Sequence, residues 1–158
     1  MSKHKPFSKR ERGQSLIEMG FSITVLVILL AGIVDLGRAF FTFVTMRDAA
    51  QEAAVYASAY PEVCEPILNR AQFAMGNVEY DAIEVWIGTH QCISLNGGPD
   101  GSSPPVTEAC AENDVRVIIR DDDFPITMPF LGAILGTQTL PLRTEVTETI
   151  LRPPQPCN

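Results

Sequence analysis

Glu18 is the one charge in a run of nineteen residues, Leu16 to Val34, that reads LIEMGFSITVLVILLAGIV. An ionised carboxylate costs about 2.5–3.5 kcal/mol at a bilayer centre and less near its edge. Two readings of Glu18 follow. Either it sits at headgroup level and is simply solvated, or its place in the run has a functional reason. Five residues earlier, Gly13 closes the basic stretch Lys9-Arg10-Glu11-Arg12. Beyond the run, Asp35 and Arg38 are three apart on one helix face. That spacing suits a local ion pair ending a membrane span, or a contact with another subunit.

The other reactive side chains are sulfurs and carboxylates. Cys64, Cys92, Cys110 and Cys157 all follow the apolar run. Their spacings lack the close ligand pairs of a zinc site, and His90 is the only downstream histidine, so no metal site is expected. An even count in an oxidising compartment points to two bridges. Of the three pairings, the preferred one joins Cys92 to Cys110, restraining the loop between them by roughly 3 kcal/mol. Cys64 and Cys157 would then tie the chain end to the helical part. Asp121, Asp122 and Asp123, with Asp114 or Glu112, offer hard oxygens for calcium, but no D-x-D-x-D-G loop with a closing Glu is present. A solvated turn is the plainer reading. No nucleophile–base set, G-x-S-x-G, H-E-x-x-H or P-loop is found, so neither enzymatic activity nor a cofactor is expected.

Positioning these residues is the task of a chain of 158 residues with net charge −7. The first thirteen residues hold five Lys or Arg against Glu11, and the remainder holds seven Arg, no Lys and eighteen acids. A nucleic-acid binder needs a basic face on its folded part, so this class is excluded. A basic tip, an apolar run and an acidic body instead fit the positive-inside rule, with the N-terminus in the cytoplasm and the sulfurs outside. Nineteen helical residues cover about 28 Å, close to the hydrocarbon thickness. The run is longer than a signal-peptide core, and no A-x-A site follows before Asp35.

The helical pattern continues past the span to Pro61. Phe40, Phe41 and Phe43 stand where an interfacial belt belongs. Ala49, Ala50, Ala53, Ala54 and Ala57 then form one small-residue stripe. It packs either on the chain's own globular part or against another helix. One helix from near Gln14 to near Ser58 would be on the order of 65 Å long. A short helix is expected over Cys64–Gly76, with strands over 82–88, 115–120 and 139–151 and loops over 94–105 and 121–136. Pro141 confines its strand's start to an edge or a bulge. Phe130 to Leu135 is a short apolar piece that rests on a membrane surface or caps the sheet. The fold class expected is α+β: a long N-terminal transmembrane and amphipathic helix, then a small antiparallel sheet domain with a short extra helix. The divisions are a basic cytoplasmic leader (1–13), the long helix (14–60, spanning about 16–34) and an extracytoplasmic disulfide-bearing domain (61–158).

The stretch R-E-R-G-Q-S-L-I-E resembles the class III signal of type IV pilins. The resemblance implies that a prepilin peptidase cuts between Gly13 and Gln14, making Glu18 the fifth residue of the mature chain. It further implies that this carboxylate pairs with the freed N-terminus of a neighbouring subunit. Residues 12–58 resemble the TadE-like family of the Flp (tight-adherence) pilus systems. The residues that carry this are R-G-Q-x-x-x-E, then Gly32, Ile33, Asp35, Gly37 and Arg38, then Ala49, Ala50, Ala53 and Ala54. The C-terminal FPITMPFLGAILGTQTLPLRTEV resembles the family's proline-rich segment before its last strand. Met19 departs from the tyrosine of the major Flp pilin, which with the large cysteine-bearing domain implies a minor pilin-like subunit or assembly factor. The partners implied are membrane lipid, other pilin-like subunits, an inner-membrane assembly platform and the peptidase. The alternative is a single-pass anchor carrying a binding module that never enters a filament.

Overall fold

The computed structural model describes residues 9–94, 104, 108–110, 112–128, 132–133 and 136–151. Helix α1 (Lys9–Ala59) is followed by α2 (Cys64–Met75) and by strands β1 (Ala82–Ile87), β2 (His90–Ser94), β3 (Asp114–Pro125) and β4 (Thr139–Thr149). The strands form one antiparallel sheet in the order β2-β1-β3-β4. The architecture is the expected α+β, with α1 unbroken for 51 residues.

The sheet lies along the upper half of α1. From Asp35 to Ser58 the helix rises about 35 Å, and twelve residues of strand extend roughly 40 Å. β3 and the helix are thus matched in length. β4 ascends beside the helix, and Leu151 N donates to Ser58 O at its top (3.0 Å). β3 descends, bringing Phe124 to Arg38 at the bottom.

Alternation decides the sheet's inner face. Ile83 stands beside Ile119 and Thr144 across the register, Val85 beside Val117 and Val146, and Ile87 beside Val115. The β1 and β3 members of these rows are fully buried. Opposite them stand Met46 and the alanines 49, 50, 53, 54 and 57 of α1, with Ile67, Leu68, Ala71 and Met75 of α2. Alanines let the strands approach the helix axis, and the Ile and Val side chains fill the space. Each of those larger side chains contributes about 1.5–3 kcal/mol on burial. Arg70 joins α2 to α1 by an ion pair with Glu52 (3.3 Å) and by lying over the Tyr56 ring.

Three expectations are corrected. β2 lies where no strand was expected. It pairs with β1 through a two-residue turn in which Gly88 takes φ +58°, and Thr89 is held there by Glu108. Second, β3 runs on through Asp121–Pro125, which was read as loop. A bulge between Asp121 and Phe124 lets the exposed Asp122 and Asp123 face water without ending the pairing. Pro141 falls opposite that bulge, on the edge strand, where a missing N–H is tolerated. Third, Cys92 does not pair with Cys110, nor Cys64 with Cys157: Cys64 bridges Cys92, with their Cα atoms 5.6 Å apart. The missed strand β2 is the reason, since it carries Cys92 onto Cys64 at the start of α2. Closing 28 residues, the bridge contributes about 3.5 kcal/mol in the chain-entropy account. Cys110 is also disulfide-bonded, while Cys157 lies outside the described residues.

Candidate functional site

The lower half of α1 is bare. Leu16, Ile17, Met19, Phe21, Leu26, Leu29, Leu30 and Ile33 are all exposed. Among the described residues, none of the most apolar eighteen-residue window is buried, and α1 is the one described helix long and apolar enough to cross a membrane. Glu18 is exposed on this bare half, about 26 Å below Asp35 by helical rise. Gly13 and Gln14 lie in the helix as well.

The helical glycines carry information that their spacing alone did not. A glycine inside a helix costs about 1 kcal/mol relative to alanine. Among the described residues, a Cβ added at Gly13, Gly20 or Gly37 would meet nothing within 4 Å beyond its own helical turn. Packing among those residues therefore does not call for glycine at these three positions. Gly20 was not singled out from the sequence, because one more glycine in an apolar run has no distinctive spacing.

Asp35 and Arg38 make the local ion pair that their spacing suggests, at 3.6 Å. The larger part of the site was not legible. Asp35 is only 6% exposed because the segment after β3 folds onto it. Thr127 Oγ1 donates to Asp35 Oδ1 at 2.5 Å and Met128 N donates to Oδ2 at 2.6 Å. Arg38 spreads over the Phe124 ring, 5.5 Å from its centroid. Asp35 thus clasps the lower end of the β-domain to the helix where the apolar run ends. No local pattern announces a partner ninety-two residues away.

Ala49, Ala50, Ala53 and Ala54 are each wholly buried against the chain's own sheet and second helix. The stripe is thus occupied within the chain. Glu18, Asp35 and the stripe share one rigid helix but three levels of it, and no geometry brings them together.

Two carboxylates of the β-domain titrate away from their ordinary range. Burial is the largest cause for Asp121. Together with the charges of Asp81, Asp123 and Glu79, it pushes the carboxyl up, against one hydrogen bond from Asp123 N. Glu108 is held low chiefly by the Thr89 backbone N–H, then by the Thr89 hydroxyl, at 2.9 and 3.0 Å. The calcium reading that joined Asp114 or Glu112 to the aspartate run is overturned. Asp114 opens β3 and Glu112 precedes it, while the aspartate run begins seven strand residues after Asp114, about 23 Å along the strand.

No curated protein and no solved structure matches the chain. One family does, under the description TadE-like protein, over residues 13–55. The match opens on Gly13 and closes within the alanine stripe, taking in Glu18, Asp35, Gly37 and Arg38. The part of α1 from Gly13 to Val55, apolar below and lined by the first alanines of the stripe above, is therefore similar to a TadE-like protein.

Proposed function

We propose that this protein is a minor subunit or assembly factor of a Flp/Tad-type pilus, held in the cytoplasmic membrane by α1 with its N-terminus inside and its acidic domain outside. The observation that carries this reading is the TadE-like match falling on a helix whose lower half is bare while its upper half is the wall of a folded core. A bare helical stem under a compact head suits lateral packing with the stems of other subunits. Gly13, Gly20 and Gly37, which packing among the described residues does not require, suit close approach of such a neighbour. Prepilin peptidase cuts between Gly13 and Gln14 in this reading, and Glu18 neutralises the new N-terminal ammonium of an adjoining subunit. The role is structural rather than catalytic.

Mass analysis of the membrane-extracted protein tests the processing step: the chain is expected to begin at Gln14, and one beginning at Met1 or Ser2 refutes it. Glu18→Ala tests the pairing. Membrane insertion is expected to persist while incorporation into the pilus or its assembly is lost, and normal piliation in that variant removes the role from Glu18.

A further inference from the structure

Above the clasp at Asp35, α1 and the lower end of the sheet leave a gap. Arg38, Phe41 and Thr42 of the helix face Glu79, Asp121 and Phe124 of the domain across a cleft of about 290 Å³. Small-ligand clefts begin at roughly that size, about 300 Å³. We propose that this cleft holds the headgroup of an outer-leaflet phospholipid that bears a primary ammonium, with Arg38 on the phosphate and Asp121 and Glu79 on the ammonium. The proposal rests on the reading of α1 as a membrane span.

In that reading the cleft stands at headgroup level. Arg38 is four residues past Val34, the last of the apolar run, or about 6 Å of helical rise. Phe40 and Phe41 just above it are largely exposed, as aromatic residues at a bilayer interface are. Val34, one turn below Arg38 on the same helix face, is exposed too, so an acyl chain has apolar helix to lie along.

The charges of the cleft are ordered along its height. Arg38 is at the lower end, over the Phe124 ring. Its ion pair with Asp35 is long, 3.6 Å, and both oxygens of that carboxylate already accept from Thr127 and Met128. A guanidinium carries five N–H donors in a fork that suits a phosphate. Asp121 is at the upper end, three strand residues before Phe124 and up to about 10 Å above it. It ends the apolar row Val115, Val117, Ile119 on the inner face of β3 and is only 8% exposed. Among the described residues neither Asp121 nor Glu79 takes part in an ion pair. A buried carboxylate among like charges is costly until a cation meets it. An ethanolamine headgroup supplies the complement in the same order, phosphate next to the glycerol and ammonium beyond it. Its ammonium offers three donors to the two carboxylates. A choline ammonium has no N–H to offer, and an anionic glycerol headgroup brings no cation.

Competitive lipid retention by the full chain tests this. The chain is held in detergent with equal amounts of phosphatidylethanolamine, phosphatidylcholine and phosphatidylglycerol of matched acyl chains, and bound lipid is identified by native mass spectrometry. One phosphatidylethanolamine per chain is expected, favoured over each competitor by about tenfold, as one charge-assisted hydrogen bond supplies. Glu79→Gln with Asp121→Asn is expected to level it with phosphatidylcholine, and Arg38→Gln to lower retention of all three. Glu79 is exposed, so Glu79→Gln alone leaves the core untouched and should already narrow the preference. A native chain that holds either competitor as well as phosphatidylethanolamine, or a preference unchanged in the double variant, overturns the proposal. Carbonate extraction of the same chains from phosphatidylcholine vesicles reads the span separately: a native chain that washes off overturns the span and this proposal together.

Discussion

At the scale of single residues, the two displaced carboxylates make opposite predictions. Asp121 has a raised pKa, so the folded state holds its proton more tightly than the unfolded chain. Its burden on stability is therefore absent below the ordinary aspartate range and complete once pH exceeds the raised value. Asp121→Asn is expected to melt above the native chain at neutral pH, with the gain vanishing in acid. Glu108 has a lowered pKa, and its contribution is complete above the ordinary glutamate range and fades as pH falls through the lowered value. Glu108→Gln is expected to melt below the native chain at neutral pH and together with it in acid. Thermal melts of the full chain in detergent across pH check both, and parallel curves at every pH would contradict them. Neither effect was legible in the sequence. Asp121 stood there as one of three like residues in a loop, and only the continuation of β3 past it separates the buried aspartate from its two wet neighbours.

At the scale of elements, what could be read depended on length and periodicity. α1 was legible because its apolar and alanine patterns run for more than forty residues without a breaker. α2 was legible from the proline in its first turn and its terminal glycine. β1 and the upper part of β3 alternate cleanly. β2 was lost because five residues with His90 and Gln91 at their head give too little alternation to count, and that loss carried the disulfide pairing with it. The lower part of β3 was lost because three aspartates resemble a turn, whereas they occupy a bulge. The stripe, ambiguous in the sequence, proves to be a seat for the sheet. Enlarging it is therefore expected to be costly: Ala53→Leu should destabilise by about 1–3 kcal/mol, the ordinary penalty for forcing methyl groups into a packed core. Chemical denaturation in detergent measures it. A neutral result would show that the sheet does not press on α1 as closely as complete burial of Ala53 implies.

At the scale of the whole molecule, the candidate membrane span and the domain are not separate parts joined by a linker. The helix that is exposed up to Val34 becomes, within four turns, one wall of the hydrophobic core, beginning at Met46. The sequence-based division at residue 60 marks a change of element and passes through the side of that core. A fragment of residues 60–158 lacks Met46 and every alanine of the stripe, and keeps only α2 against the sheet, leaving β3 and β4 without the helix that covers them. Such a fragment is expected to aggregate or to give no cooperative melt, whereas one beginning near Asp35 is expected to melt cooperatively. Circular dichroism melts of the two fragments separate these outcomes. The same unbroken rod bears on how the cell can dispose of the protein. In the spanning reading, a protease that frees ectodomains by one cut in a slack juxtamembrane stalk meets a continuous helix instead, since Asp35, the first residue past the apolar run, is already bound by Thr127 and Met128. A soluble head is then not the expected product of a single cut at that level.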